Sequence, residues 1–154
     1  MMLELHNVSI GSLIKDLSLT VSDGQLASLT GAEGSGKTTL LRAVLGFLPI
    51  DGGHICIDGE LLTPQSAPYF RRMTAYVPQH LTIPDDEKEV RSDYLWLLRR
   101  AVEAGKPLLI VDEPSRPLSD ADREVADSLL RESLRQGAAV LAVRSSINDY
   151  EVSL

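Results

Sequence analysis

Apolar and polar positions alternate through the first twenty residues. Leu3, Leu5 and Val8, then Leu17, Leu19 and Val21, are separated mostly by polar side chains, the period of two that marks half-buried strands. Gly11-Ser12 is a turn between them, and Asp23-Gly24 marks the next. Leu26–Thr30 reads as a short buried strand that runs straight into Gly31. From Thr38 the period lengthens to that of a helix, with Leu40, Leu41, Val44, Leu45 and Leu48 on one face, closed by Pro49 and the Gly52-Gly53 pair. Residues 54–58 alternate again and end in a hairpin-like Asp58-Gly59 turn. Thr74–Val77 is a strand that stops at Pro78, and residues 80–92 are a polar stretch with Pro84-Asp85-Asp86 as a loop. Residues 94–104 predict a helix ended by Gly105, and Leu108–Val111 is a second continuous apolar run. Residues 120–136 form an amphipathic helix whose apolar positions are Val125, Leu129, Leu130 and Leu134, with Gly137 at its C-terminal end; residues 138–143 are a third buried strand. Apolar strands alternating with helices predict an α/β fold, a parallel sheet core flanked by helices, and the early alternating segment adds an antiparallel β layer.

The 154 residues show no internal repeat, low-complexity tract or linker, so one domain across 1–154 is expected. Hydrophobic residues make up 44% and charged residues 24%, an ordinary globular balance that excludes global disorder. The net charge of -7, from 15 basic and 22 acidic side chains, argues against a nucleic-acid partner, which would require a positive field. It does not oppose a phosphate held at one local site. The lone cysteine, Cys56, excludes a disulfide framework and a multi-cysteine metal cage, and fits a reducing compartment. No apolar run reaches the length of a membrane span, and Met1-Met2-Leu3-Glu4 does not open a signal peptide. A soluble, cytoplasmic chain is expected.

The strongest chemical signal is Gly31-Ala32-Glu33-Gly34-Ser35-Gly36-Lys37-Thr38, followed by Thr39, which matches G-x-x-x-x-G-K-[ST]. A random chain of this length would match on the order of once in two hundred. Here the match also follows a buried strand and opens a helix. Glycines let consecutive backbone N–H groups curl around a β-phosphate, and the helix aims its positive end at the same anion. Lys37 supplies a mobile charge for the β- and γ-phosphates, and Thr38 offers a hydroxyl to magnesium. Glu33 puts a carboxylate on the loop, either facing the phosphates or turned to solvent. The expected fold class is therefore that of P-loop NTPases, with Gly31, Ala32, Glu33, Gly34, Ser35, Gly36, Lys37, Thr38 and Thr39 as the nucleotide-binding segment.

A second acidic element follows. Leu108-Leu109-Ile110-Val111 is a buried strand that ends in Asp112-Glu113. Residues there emerge at the carboxyl edge of a parallel sheet, where ligands bind. Asp112 can accept water ligands of a magnesium ion, and Glu113 can polarise a water for in-line attack.

These elements resemble the nucleotide-binding subunit of ABC transporters. The phosphate loop, Tyr76-Val77-Pro78-Gln79 and Leu109-Ile110-Val111-Asp112-Glu113-Pro114 occur in that family's order, and the likeness runs from about Leu3 to about Arg144. The resemblance implies ATP and Mg2+ as ligands. It implies metal contacts from Thr38, Gln79 and Asp112, and catalytic roles for Lys37, Gln79, Glu113 as base, and Arg144 at the position of the family's switch histidine. It also implies a membrane-spanning transporter subunit or a second ATP-binding chain as partner, a head-to-tail dimer, and a peripheral place on the inner face of a membrane.

The departures from the family pattern are specific. Gln79 and Asp112 lie 33 positions apart, about half the family's usual separation. The missing part is the helical subdomain that carries the Leu-Ser-Gly-Gly-Gln signature. Counting back from Asp112 places that signature at residues 88–92, Lys-Glu-Val-Arg-Ser, with no glycine. The family's Ser-Ala-Leu-Asp becomes Arg116-Pro117-Leu118-Ser119, with an aspartate only at Asp120. No aromatic residue stands at 10–14, where the family stacks one on adenine. Only ten residues follow Arg144, so the family's C-terminal strands are expected to be absent.

Three functions then compete: slow ATP hydrolysis that needs a partner chain, ATP sensing without turnover, and small-molecule phosphorylation, for which no acceptor site or lid arginines stand out. Elsewhere, His6, His54 and Cys56 read as surface or structural side chains, and His80 as a neighbour of the site. Arg71-Arg72 and Arg99-Arg100 read as solvated faces. Tyr94, Leu95, Trp96 and Leu97 form an apolar patch, either core or an exposed docking surface.

Overall fold

A computed structural model describes residues 1–31, 34–78, 90–114, 118–143 and 151–153. Two sheets carry the chain. The first is antiparallel, in the order β2-β1-β4-β5, from β1 (Leu3–Ile10), β2 (Ile14–Val21), β4 (Gly52–Ile57) and β5 (Glu60–Leu61). The second has the order β6-β7-β8-β3-β9, from β3 (Leu26–Thr30), β6 (Thr74–Val77), β7 (Leu108–Val111), β8 (Ala139–Ala142) and β9 (Glu151–Ser153). Every pairing described in this second sheet is parallel. The helices are α1 (Lys37–Val44), α2 (Ala67–Arg72), α3 (Val90–Glu103) and α4 (Asp120–Arg135).

The parallel sheet is buried on both faces, which is why its strands read as continuous apolar runs. Leu108, Ile110, Ala139 and Leu141 face one cluster, shared with the inner face of the antiparallel sheet and with Leu40, Leu41 and Val44 of α1. Leu109, Val111, Val140 and Ala142 face the other, shared with Tyr94 and Leu98 of α3 and Ala126 and Leu130 of α4. The antiparallel layer expected from the opening alternation is thus present, with Leu3, Leu5, Leu19, Val21, Ile55 and Ile57 inward.

Four sequence expectations are corrected. The first helix ends at Val44 rather than near Leu48. Gly46 takes φ 81, its N–H bonds Ala43 O, and Phe47 N–H bonds Arg42 O, so a Schellman cap stops the helix before the apolar period runs out. The third helix starts at Val90 instead of residue 94. In α4 Leu130 is buried and Leu129 and Leu134 pack partly buried against the same cluster, as expected, but Val125 is 38% exposed, and Ala126 and Ser133 are buried beside them. Finally, a strand does follow residue 144: β9 pairs in parallel with β3, whose edge on that side has backbone groups to satisfy. One short element, α2, has no counterpart in the sequence pattern, whereas β5 is the returning strand of the hairpin-like turn. The Asp58-Gly59 turn joins β4 to β5 with positive φ at both residues, 51 and 79, as a two-residue type I′ hairpin requires.

Candidate functional site

Strand β3 delivers Gly31 to the carboxyl edge of the parallel sheet, and Lys37 opens α1 six residues later. Gly36, at φ 98, is the residue before the helix, and a Cβ there would lie 3.0 Å from Ile14 Cδ1 and 3.2 Å from Leu13 Cβ. The antiparallel layer therefore presses on the back of the loop, and at this φ any side chain larger than glycine's hydrogen is strained there. No side chain caps the N-terminus of α1 and its first turn holds no acidic residue, which leaves the positive end of the helix facing the loop.

Lys37 Nζ donates to Gly31 O at 2.8 Å, bridging the two ends of the loop. Thr38 Oγ1 donates to Asp112 Oδ2 at 2.9 Å, across 74 residues of chain. Asp112 lies just past β7 and is 1% exposed. Its Oδ1 accepts the Glu113 N–H at 2.9 Å, and its main-chain oxygen accepts the Tyr94 hydroxyl at 2.9 Å. Tyr76, on β6 beside β7, has its phenol pushed above its ordinary value, first by burial and then by the Asp112 carboxylate, against a weaker opposite pull from Arg42. Glu113 is half-buried beside Asp112.

The arrangement suits a hydrated Mg2+ and a phosphate chain. Thr38 and Asp112 supply two hard oxygen atoms already in contact, the donor chemistry that magnesium prefers. The Ser35 hydroxyl is buried in the loop with no hydrogen-bond partner among the described residues, as a group reserved for a ligand would be.

The structure brings Gly31, Gly34, Ser35, Gly36, Lys37, Thr38 and Thr39 together with Asp112 and Glu113. Ala32, Glu33, Gln79 and Arg144 lie outside the described residues, as do His80 and the altered turn at Arg116 and Pro117. Two supporting residues were missed by sequence reasoning. Tyr94, read only as part of an apolar patch, is buried against Asp112, and its hydroxyl is the signal that could have found it, since a buried phenol needs a partner. Arg71, read as a solvated side chain, donates from Nη1 to Leu45 O at 3.0 Å and lies 4.7 Å over the Phe47 ring. Trp96, in contrast, is 55% exposed and carries the Arg100 guanidinium 4.9 Å from its ring centre.

A buried strand, a glycine loop, a helix and a carboxylate on a nearby strand end define a P-loop nucleotide-binding α/β fold. The chain matches the "ABC transporter" family over residues 14–129 and belongs to that family of ATP-binding proteins. Among curated relatives, the Fe(3+) ions import ATP-binding protein FbpC 2 of Pectobacterium atrosepticum is 37% identical over 63% of this chain and 34% of its own length. The manganese transport system ATP-binding protein MntB of Listeria innocua is 37% identical over 46% of this chain and 29% of its own length. The chain thus spans about a third of the length of these relatives. Among solved structures, an ATP binding subunit of an ABC transporter superposes with TM-score 0.74 at 20% identity, covering 100% of this chain and 86% of that one. An ABC transporter ATP-binding protein from Pyrococcus furiosus superposes with TM-score 0.73 at 17% identity, covering 100% and 98%. These last two show the fold. Among the described residues no helix is long and apolar enough to cross a membrane.

Proposed function

We propose that the chain is a reduced ATP-binding subunit of ABC-transporter type, one domain over 1–154, that hydrolyses ATP to ADP and phosphate slowly or only beside a partner chain. The observation that carries this reading is the Thr38–Asp112 hydrogen bond, which joins the threonine of the phosphate loop to the acidic strand end. The backbone N–H groups of residues 31–39 and the open N-terminus of α1 bind the β-phosphate. Lys37 leaves Gly31 O and takes up the γ-phosphate charge. Thr38, Asp112 and, by sequence position, Gln79 hold Mg2+, which when bound neutralises charge on the phosphate oxygens. Glu113 accepts the proton of the attacking water, and Arg144 takes the place of the γ-phosphate-sensing residue.

Partner dependence rests on residues 88–92, which lack glycine at the counted signature position. The partner would be a second ATP-binding chain or a membrane-spanning subunit, which would hold this chain as a cytoplasmic, peripheral component. A second reading, ATP sensing without turnover, is favoured by one observation: Val90, Arg91 and Ser92 open α3 with no glycine among them, so side chains stand where the family's signature presents bare backbone.

Phosphate release with and without Glu113→Gln separates the two. Hydrolysis predicts a rate lower by about 10²–10⁴-fold in the variant with ATP affinity retained. Equal rates eliminate Glu113 as the base, and tight ATP binding with no product over hours leaves the sensor.

A further inference from the structure

On the outer face of the antiparallel sheet, away from the phosphate loop, the geometry points to a binding site for a divalent transition metal of the zinc class, built from His6, His54 and Cys56 with Glu4 as their supporting carboxylate. The strand pairing makes the cluster. His6 stands opposite His54, and Glu4 opposite Cys56, in the antiparallel β1–β4 ladder. The inward residues of the same strands, Leu3, Leu5, Ile55 and Ile57, are buried, so these four polar side chains share the other face.

One ligand atom each from His6, His54 and Cys56 lies within 4.8 Å of the other two. A tetrahedral zinc ion, with Zn–N about 2.0–2.1 Å and Zn–S about 2.3 Å, holds its ligand atoms roughly 3.3–3.6 Å apart, so side-chain rotation closes the remaining gap. The two imidazoles are already stacked, 4.8 Å between centres. His6 Nε2 lies 3.1 Å from Glu4 Oε2. Engaged through that nitrogen, His6 offers Nδ1 to the metal, and Glu4 sets its tautomer, as carboxylates commonly do behind a metal-bound histidine.

Local backbone geometry supports the placement. The β1–β4 register shifts directly after His6, and Asn7 there has φ 51. Gly53, at φ 75, precedes His54, and a Cβ on it would fall 2.2 Å from Asn7 O. Glycine is required for the two strands to approach this closely, and such an irregularity re-aims neighbouring side chains. Nitrogen and thiolate donors select zinc-class ions over magnesium, so this site and the Thr38–Asp112 pair take different metals. On binding, the Cys56 thiol gives its proton to water and the thiolate enters the coordination sphere. Solvent fills the remaining position, since His54 is exposed and His6 and Cys56 are only partly covered.

The test uses the full chain, first stripped of metal, in excess Mg2+ to saturate hard-oxygen sites. Titration with Zn2+ is expected to show one saturable site, and Co2+ to give a thiolate-to-cobalt charge-transfer band. Cys56 is the only cysteine, so alkylation reports on it alone. Zn2+ is expected to slow the reaction at least tenfold, reversibly with EDTA, a reading that needs no variant. His54→Ala with Cys56→Ser is expected to abolish the site, and Glu4→Gln to weaken it about tenfold. Alkylation unaffected by Zn2+, or Zn2+ affinity unchanged in the double variant, would overturn the proposal.

Discussion

Asp112 is buried with both carboxylate oxygens hydrogen-bonded, one to the Thr38 hydroxyl and one to the Glu113 N–H, and its main chain is held by Tyr94. A charge in that setting is tolerated because donors surround it. Its neighbour Tyr76 shows the electrostatic consequence. The phenol is raised by burial first and by Asp112 second, so the folded chain keeps a proton that the unfolded chain loses at about pH 10. Stability is then full below that pH and falls as pH climbs toward the folded-state value. Tyr76→Phe is expected to remove this part of the alkaline loss, read as urea midpoints from about pH 9 to about pH 11. At the loop, Gly36→Ala must place a Cβ against Ile14 at positive φ. Strain of about 1–3 kcal/mol is expected in denaturant unfolding, with a matching loss of nucleotide affinity. The loop residues and Asp112 were legible because their spacing is itself the chemistry. The supporting roles of Tyr94 and Arg71 were not, because they depend on which main-chain carbonyl folding brings near.

Among elements, α4 shows how local signals and packing divide the work. Ser119 takes extended geometry and its hydroxyl accepts the Asp122 N–H at 3.1 Å, with Asp120 and Asp122 in the first turn complementing the helix dipole. At the other end, Gly137 N–H bonds Leu134 O and Ala138 N–H bonds Ser133 O, a second Schellman cap. Ser119→Ala is expected to cost about 1 kcal/mol, measurable as a lowered Tm with the fold retained. The ends of α4 were readable in the sequence since the caps are local. Its buried face was readable only in part: Leu129, Leu130 and Leu134 pack inward, but Val125 does not, and Ala126 and Ser133 are buried because small residues mark where helix and sheet approach closely. The same limit hid α2, six residues with a proline in its first turn, too short for periodicity to register. Strand β9 escaped because its pairing with β3 is set by an open sheet edge at long sequence separation.

At the scale of the molecule, one parallel sheet separates two apolar clusters, and the antiparallel layer closes the first of them over α1. That sandwich was foreseeable from the change of period along the chain, from two to 3.6 and back. The strand order was not, since nothing local says that β3 lies between β8 and β9. Yet that order is what places the phosphate loop and Asp112 on the same edge, one strand apart. The central claim is that this edge holds the phosphates of ATP. Calorimetric titration of the full chain with ATP and Mg2+, beside Lys37→Ala, tests it most directly. Loss of a charge-assisted contact of about 1.5–3 kcal/mol predicts saturable binding that weakens roughly 10- to 100-fold in the variant. Equal affinity in the two proteins, or no binding at millimolar ATP, would contradict it.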